Sequence, residues 1–340
     1  MSSEETPLKV LVTGGTGFVG RHLVAALDRT LAEGSEIVAG TSRPDMGRPD
    51  GDPAGAAIPS GRIPVRLTAM DVTDAAQVSA VVRAEQPTHL VHLAAIAAVT
   101  AATRDPRFAW SVNLGGTLNV ALAVADECPS CRILFSGSSE IYGASFKAGV
   151  PLDEGALLQP ANPYAASKAA ADLMLGQMAL QGVAVTRVRP FNHTGPGQGE
   201  QFAIPSFAAQ IARIELGLQE PVIRVGWLDA VRDFLDVGDV VDGYVRIIRS
   251  ADRLPPGCII NLASGTGRRI GDLLDRLVSM STVPIELVQD PARFRASDTP
   301  SVVGDSSRAR ELLGWEPKRD MDDTLRSVLD YWRAHLGRKD

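Results

Sequence analysis

Cysteine is scarce: three residues in a chain of 340, too few for a disulfide framework. Two of them spell CxxC, at Cys128-Pro129-Ser130-Cys131. A redox pair of that spacing sits at a helix start, where the dipole lowers a thiol pKa. Here the pair follows the apolar segment Leu118 to Ala125 and precedes the strand-like Arg132 to Phe135, so a helix end and a structural role are expected. Only Cys258 remains to complete a zinc site, no His/Cys/carboxylate cluster has metal-ligand spacing, and no metal is expected. A basic excess is also missing. The 34 basic and 40 acidic residues leave a formal charge of -6, which argues against a nucleic-acid partner. Long apolar runs are absent too: the most apolar stretch, Leu90 to Ala102, is broken by His92 and reads as a buried strand entering a loop, so no membrane contact is expected. The opening Met1-Ser2-Ser3-Glu4-Glu5 lacks the basic start and apolar block of a secretory signal. A soluble cytoplasmic protein is the expectation.

What is present is a regular alternation. Strands are expected at Lys9 to Thr13, Glu36 to Thr41, Val65 to Ala69, His89 to Leu93, Arg132 to Ser136 and Val183 to Arg189. Helices fit Phe18 to Leu31, Ala75 to Ala84, Phe108 to Asp126 and Tyr164 to Gln181. This order predicts an α/β fold: a Rossmann-type, doubly wound parallel sheet with helices on both faces. Arg43 to Arg62, rich in Pro, Gly and Asp, reads as a long surface loop. After Pro190 the alternation weakens, and a smaller, mixed substrate domain is expected from 191–232 and 264–340. Residues 1–190 and 233–263 would form the dinucleotide-binding domain. Phe234 to Tyr244 reads as a strand and helix returning to the main sheet, and Ile259 to Ala263 as a further strand of it.

Thr13-Gly14-Gly15-Thr16-Gly17-Phe18-Val19-Gly20 places a GxxGxxG turn between a buried strand and an amphipathic helix. In that context the glycines permit close backbone approach, and the helix N-terminus offers free N–H groups to a pyrophosphate. The end of the second strand discriminates nicotinamide cofactors: an acidic residue there suits NAD, a cation suits the extra phosphate of NADP. Thr41-Ser42-Arg43 carries no carboxylate, so Arg43 helped by Ser42 is expected to favour NADP(H). Asp71-Val72 is placed to cover the adenine, and Leu93, Ala94 and Ala95 are expected to line the same cofactor.

Tyr164 and Lys168, four residues apart, share a helix face. A phenol is a poor proton relay near neutrality unless a cation favours phenolate, and Lys168 is expected to supply one. Both should also touch the cofactor. Tyr164 would protonate a carbonyl oxygen as hydride reaches the carbon, with Ser138 at the end of the fifth strand bonding the same oxygen.

Together with Thr13 to Gly20 and the segment Asn113 to Thr117, these residues make the chain resemble an extended short-chain dehydrogenase/reductase. The resemblance implies that Asn113 supports the active-site helix and a proton relay through the lysine. Glu140, two residues beyond Ser138, matches the acid/base glutamate of sugar-nucleotide 4,6-dehydratases. Arg189-Pro190-Phe191-Asn192-His193-Thr194-Gly195-Pro196-Gly197-Gln198, with Phe207 to Ile211 and Val225 to Phe234, is similar instead to the reductases of GDP-4-keto-6-deoxy-D-mannose that make GDP-D-rhamnose. Those also retain the glutamate, so Glu140 does not decide. By resemblance, Ser139, Asn192, Arg232, Arg295 and Asp298 bind substrate. Trp227 departs from the asparagine that the resemblance leads one to expect, and His193 reads as structural.

The favoured activity is therefore NADPH-dependent 4-keto reduction of a GDP-linked 6-deoxyhexose. GDP-mannose dehydration or a related epimerisation is the enzymatic alternative. A non-enzymatic nucleotide sensor is disfavoured by the retained Ser, Tyr and Lys. The small apolar residues of the helices at 108–126 and 164–181 suggest a homodimer through a four-helix bundle, as family members form.

Overall fold

The computed structural model describes residues 6–42, 61–290 and 299–337. The expected loop from Arg43 lies mainly outside them. In chain order the strands are β1 (Lys9–Thr13), β2 (Glu36–Thr41), β3 (Val65–Ala69), β4 (His89–His92), β5 (Arg132–Ser136), β6 (Val185–Pro190) and β7 (Asn192–Thr194). Then follow β8 (Val222–Val225), β9 (Val231–Asp236), β10 (Ile259–Leu262), β11 (Gly267–Arg269), β12 (Glu286–Gln289) and β13 (Ser301–Val302).

The helices are α1 (Phe18–Thr30), α2 (Ala75–Glu85), α3 (Val99–Arg104), α4 (Pro106–Trp110), α5 (Thr117–Glu127) and α6 (Pro163–Leu180). After them come α7 (Ala203–Glu215), α8 (Val237–Ser250), α9 (Ile270–Ser279), α10 (Ser307–Leu313) and α11 (Met321–Leu336).

Among the described residues, seven strands form one sheet in the order β10-β6-β5-β4-β1-β2-β3. Every pairing in it is parallel. A parallel sheet needs helices on both faces, which is why its central strands read as continuous apolar runs. One face packs Val10, Val12 and Val91 against α1 and α8; the other packs Leu11, Leu90 and Ile133 against α2, α5 and α6. A third apolar cluster joins α7, α9 and α11 through Phe207, Leu274 and Trp332, apart from the main sheet.

The expectation for Phe234 to Tyr244 is corrected in part. The helix, α8, does pack on the main sheet through Val240 and Tyr244. The strand does not join it: β9 pairs with β7, β11 and β13 in a separate four-stranded sheet. The adjacent Arg232 and Asp233 put a polar side chain on each face of β9, unlike the apolar main-sheet strands.

The expected helix from Phe108 is longer and irregular. It runs from Pro106 to Glu127, with a π turn over Ser111–Gly116 between α4 and α5. By length and composition alone this helix could cross a membrane, but half of it is buried. Its Asn113 and Thr117 are hydrogen-bonded within the chain, as befits a core helix. Cys128 caps the C-terminal end of α5, and burial pushes the Cys131 thiol far up, which leaves it inert.

Candidate active site

The strand order reverses between β1 and β4, and the loops leaving their C-terminal ends part to form a crevice, the usual ligand position in such sheets. Two glycines let these loops close. Gly14 has φ +68°, and a Cβ on it would lie 2.9 Å from the backbone nitrogen of Ala94. A Cβ on Gly20 would lie 2.3 Å from the carbonyl oxygen of Gly14, so the turn can fold onto α1 only with glycine there. Gly17 caps α1 without any side-chain hydrogen bond, so the first-turn N–H groups are left for another acceptor. This backbone cradle fits a pyrophosphate.

From that turn a cleft of about 1730 Å³ extends across the sheet ends. Gly14, Thr16, Gly17, Phe18, Val19 and Gly20 line one end, with Ser42, Asp71, Val72, Leu93, Ala94 and Ala95 around them. Ser138, Ser139, Glu140, Tyr164 and Lys168 occupy the middle, and Asn192 and Arg232 the far wall. Arg43, Arg295 and Asp298 lie outside the described residues. Asn113 does not line the cleft; it is buried behind it.

A chain of hydrogen bonds explains that placement. The Ala94 N–H donates to Thr13 Oγ1 (3.2 Å), which lies 2.7 Å from His92 Nδ1. His92 Nε2 is 3.0 Å from Thr117 Oγ1, and that hydroxyl donates to the Asn113 carbonyl at 2.6 Å. The network therefore assigns the proton to Nε2 of a neutral imidazole. Burial and the charge of Lys168 hold His92 down at about 3. Asn113 Nδ2 donates to Ser167 Oγ (3.0 Å), which donates to the Tyr164 carbonyl (2.8 Å). The amide oxygen of Asn113 accepts from the Ile96 N–H at 2.8 Å. Asn113 thus ties α6 to the loop after β4, and the π turn aims it there. The histidine that interrupts the apolar run at 90–102 is a link in this chain.

Asn162 starts α6. Its side chain accepts from the Ala165 N–H at 2.8 Å, ahead of Pro163, and its amide nitrogen donates to Glu140 Oε2 at 3.4 Å. The Asn-Pro signal before Tyr164 is legible in the sequence as a helix start, although its reach to Glu140 is not. Ser138 caps the segment Ser139–Ala148, two short 3-10 turns broken by a kink at Gly143 (φ +48°), by accepting from the Glu140 N–H at 3.2 Å.

Tyr164 and Lys168 are both buried. Lys168 Nζ donates to the Ser136 carbonyl at 2.5 Å and sits 4.5 Å from the centre of the Phe135 ring. Burial pulls its ammonium down to about 7, opposed by the charge of Asp172. Burial pushes the Tyr164 phenol up to about 12; a hydrogen bond with Ser138 acts against this and the Glu140 charge adds to it. This differs from the expected effect of Lys168 on the phenol. The reason is desolvation, which disfavours both charged forms where the pair is enclosed. Tyr164 is therefore held as an acid.

On the far wall, Arg232 Nη1 donates to the carbonyls of Val231 (2.9 Å) and Thr299 (2.8 Å). His193 lies parallel to Phe18 at 6.2 Å, and its Nδ1 is 2.9 Å from the Phe191 carbonyl. Burial lowers its pKa, and the residue lines the cleft.

A phosphate cradle at the sheet's switch point, facing a buried acid that an ammonium neighbours, is the arrangement of a nicotinamide-dependent oxidoreductase. The chain belongs to the extended short-chain dehydrogenases/reductases and, within them, to the GDP-mannose 4,6 dehydratase family, whose model matches residues 11–328. It is 34% identical over 331 residues to the GDP-6-deoxy-D-mannose reductase of Pseudomonas aeruginosa, covering 96% of this chain and 98% of that one. The solved structure of RMD from Pseudomonas aeruginosa complexed with NADPH is similar with a TM-score of 0.80 and 32% identity, over 96% of this chain and 99% of that one. The UDP-glucose 4-epimerase of Thermus thermophilus, in complex with NAD, gives a TM-score of 0.81 at 27% identity, again over 96% and 99%.

Proposed function

We propose that the protein uses NADPH to reduce the 4-keto group of GDP-4-keto-6-deoxy-D-mannose to GDP-D-rhamnose. The observation that carries this reading is the placing of Ser138, Tyr164 and Lys168 in one cleft with the glycine turn at one end and Arg232 at the other. The likeness to a GDP-6-deoxy-D-mannose reductase supports the choice of substrate. When bound, the nicotinamide supplies a hydride to the carbonyl carbon. Ser138 and Tyr164 donate hydrogen bonds to the carbonyl oxygen, and Tyr164 then gives up its proton, so that ketone, hydride and proton become an alcohol. Lys168, charged, stabilises the phenolate left behind. Arg232 and Asn192 hold the diphosphate and sugar, an arginine suiting phosphate by its fork of donors. Arg295 and Asp298 are assigned to the ribose-phosphate end.

NADPH should be consumed in a one-to-one ratio with GDP-4-keto-6-deoxymannose, and NMR should identify the product as GDP-D-rhamnose. Turnover of GDP-mannose without loss of NADPH would instead establish the dehydratase. Glu140 in the cleft, bonded by Asn162, is the feature favouring that second reading. Arg43, next to the cleft-lining Ser42, is assigned to the 2′-phosphate. Arg43→Ala should then abolish the preference for NADPH over NADH; an unchanged ratio of kcat/KM values would reject the assignment.

We further propose a homodimer through the helices Pro106–Glu127 and α6. Leu118, Leu122 and Leu173 on them are 38%, 45% and 61% exposed, an apolar set that a partner copy would cover.

A further inference from the structure

The catalytic groups proposed above come from two separate pieces of chain. Tyr164 and Lys168 belong to α6; Ser138 caps the segment Ser139–Ala148, and Glu140 lies in its first turn. Reduction requires both pieces to address one carbonyl oxygen. A buried group behind the cleft joins them; of its members, Tyr142 packs its ring against the cleft-lining Phe146 and Phe191.

Arg189, on β6, is 3% exposed, and Asp172, one turn beyond Lys168 on α6, is fully enclosed. The guanidinium forks onto the carboxylate, Nε to Oδ2 at 3.0 Å and Nη2 to Oδ1 at 2.9 Å. A bidentate pair of this kind fixes orientation as well as distance. Its remaining nitrogen, Nη1, reaches the other piece and donates to the Tyr142 hydroxyl at 3.0 Å and the Glu154 carbonyl at 3.3 Å. Tyr142 lies within Ser139–Ala148, two residues beyond Glu140, and its hydroxyl donates to Asn261 Oδ1 at 2.8 Å. Arg187 supports the carboxylate from the same strand, Nη1 to Oδ1 at 2.9 Å. Gly176 makes room for Arg187: a Cβ there would stand 2.6 Å from its Nη1.

An ion pair this deep is a costly way to gain stability, because both charges lose their water. What it supplies better than an apolar contact is fixed geometry across three elements.

We propose that Arg189 is a positioning residue for the reaction: by gripping Asp172 on α6 and Tyr142 on the Ser139–Ala148 segment, it sets the separation between Tyr164 and Ser138. The inference rests on the catalytic roles given under the proposed function. Arg189 and Tyr142 act only through these neighbours.

The test uses Tyr142→Phe, which removes a single hydroxyl, and Arg189→Lys, which keeps the charge opposite Asp172 but loses the fork. Tyr164→Phe serves as the control. With GDP-4-keto-6-deoxymannose, each positioning variant should lose about tenfold or more in kcat, the scale expected when reacting atoms are misplaced by a fraction of an ångström. NADPH affinity, read by fluorescence titration, should stay unchanged. The kinetic isotope effect on kcat with NADPH deuterated at the transferred position should rise, because misalignment slows hydride transfer itself. A merely structural role lowers the folded fraction and leaves that isotope effect where it was.

Unchanged kcat in both variants, a loss that only tracks the folded fraction, or failure of both to fold would overturn the proposal. Full turnover by Tyr164→Phe would instead overturn the catalytic reading beneath it.

Discussion

The group whose state matters most near neutral pH is Lys168. Its ammonium titrates at about 7 in the folded protein, against ~10.4 for an unperturbed lysine. Tyr164, held at about 12, remains an acid well beyond that. The alkaline limb of the kcat/KM profile for reduction should therefore fall with an apparent pKa near 7, as Lys168 loses the charge that supports the departing proton. A profile flat to pH ~9 would contradict this. The same shift bears on stability. The folded state holds fewer protons on Lys168 than the unfolded state between about 7 and ~10.4, so the cost of burying the charge is complete below 7 and fades as pH rises through that window. Lys168→Met should accordingly be inactive yet melt higher than the parent at pH ~6, with the difference shrinking toward pH ~10. A lower melting temperature for the variant at the acid end would sink the argument.

At the scale of elements, the start of α6 does two things with one side chain. Asn162 caps the helix and reaches Glu140. Asn162→Ala should cost about 1 kcal/mol in urea unfolding and also reduce turnover, since Tyr164 is only two positions on. Asn162→Ser keeps a cap and loses the Glu140 contact, so it should recover the stability and not the turnover. Recovery of both turnover and stability by Asn162→Ser would show that only the cap matters. The elements differ in how plainly the sequence announces them. β1, β4 and β5 are short apolar runs bounded by turn residues, and their partners follow from the alternation with helices. The strand at Val231–Asp236 is as easy to see, but its partners β7, β11 and β13 are set by contacts distant in the chain, and local pattern placed it in the wrong sheet. The π turn at Ser111–Gly116 leaves no mark in hydrophobic spacing that distinguishes it from continuous α-helix. Likewise Tyr164 and Lys168 are recognisable from four-residue spacing, whereas Arg189 and Asp172, seventeen positions apart, become partners only when β6 lies beside α6.

At the scale of the molecule, the exposed leucines of α5 and α6 bear on assembly. Leu122→Glu combined with Leu173→Glu should convert a dimer into a monomer in light scattering after size exclusion, with NADPH binding retained because neither residue lines the cleft. An assembly unchanged by both substitutions would place the interface elsewhere. The order of the main sheet has a further consequence, which concerns time. β1 is made first yet lies in the interior of the sheet, and its neighbour β4 emerges about eighty residues later. The last strand of that sheet to leave the ribosome, β10, pairs among the described residues with β6 alone and closes that end. A chain halted before Ile259 would therefore carry the glycine turn, Tyr164 and Lys168 while β6 remained an open edge, a template for mispairing with another chain. The residues of the reaction are all synthesised well before the fold that holds them can be completed.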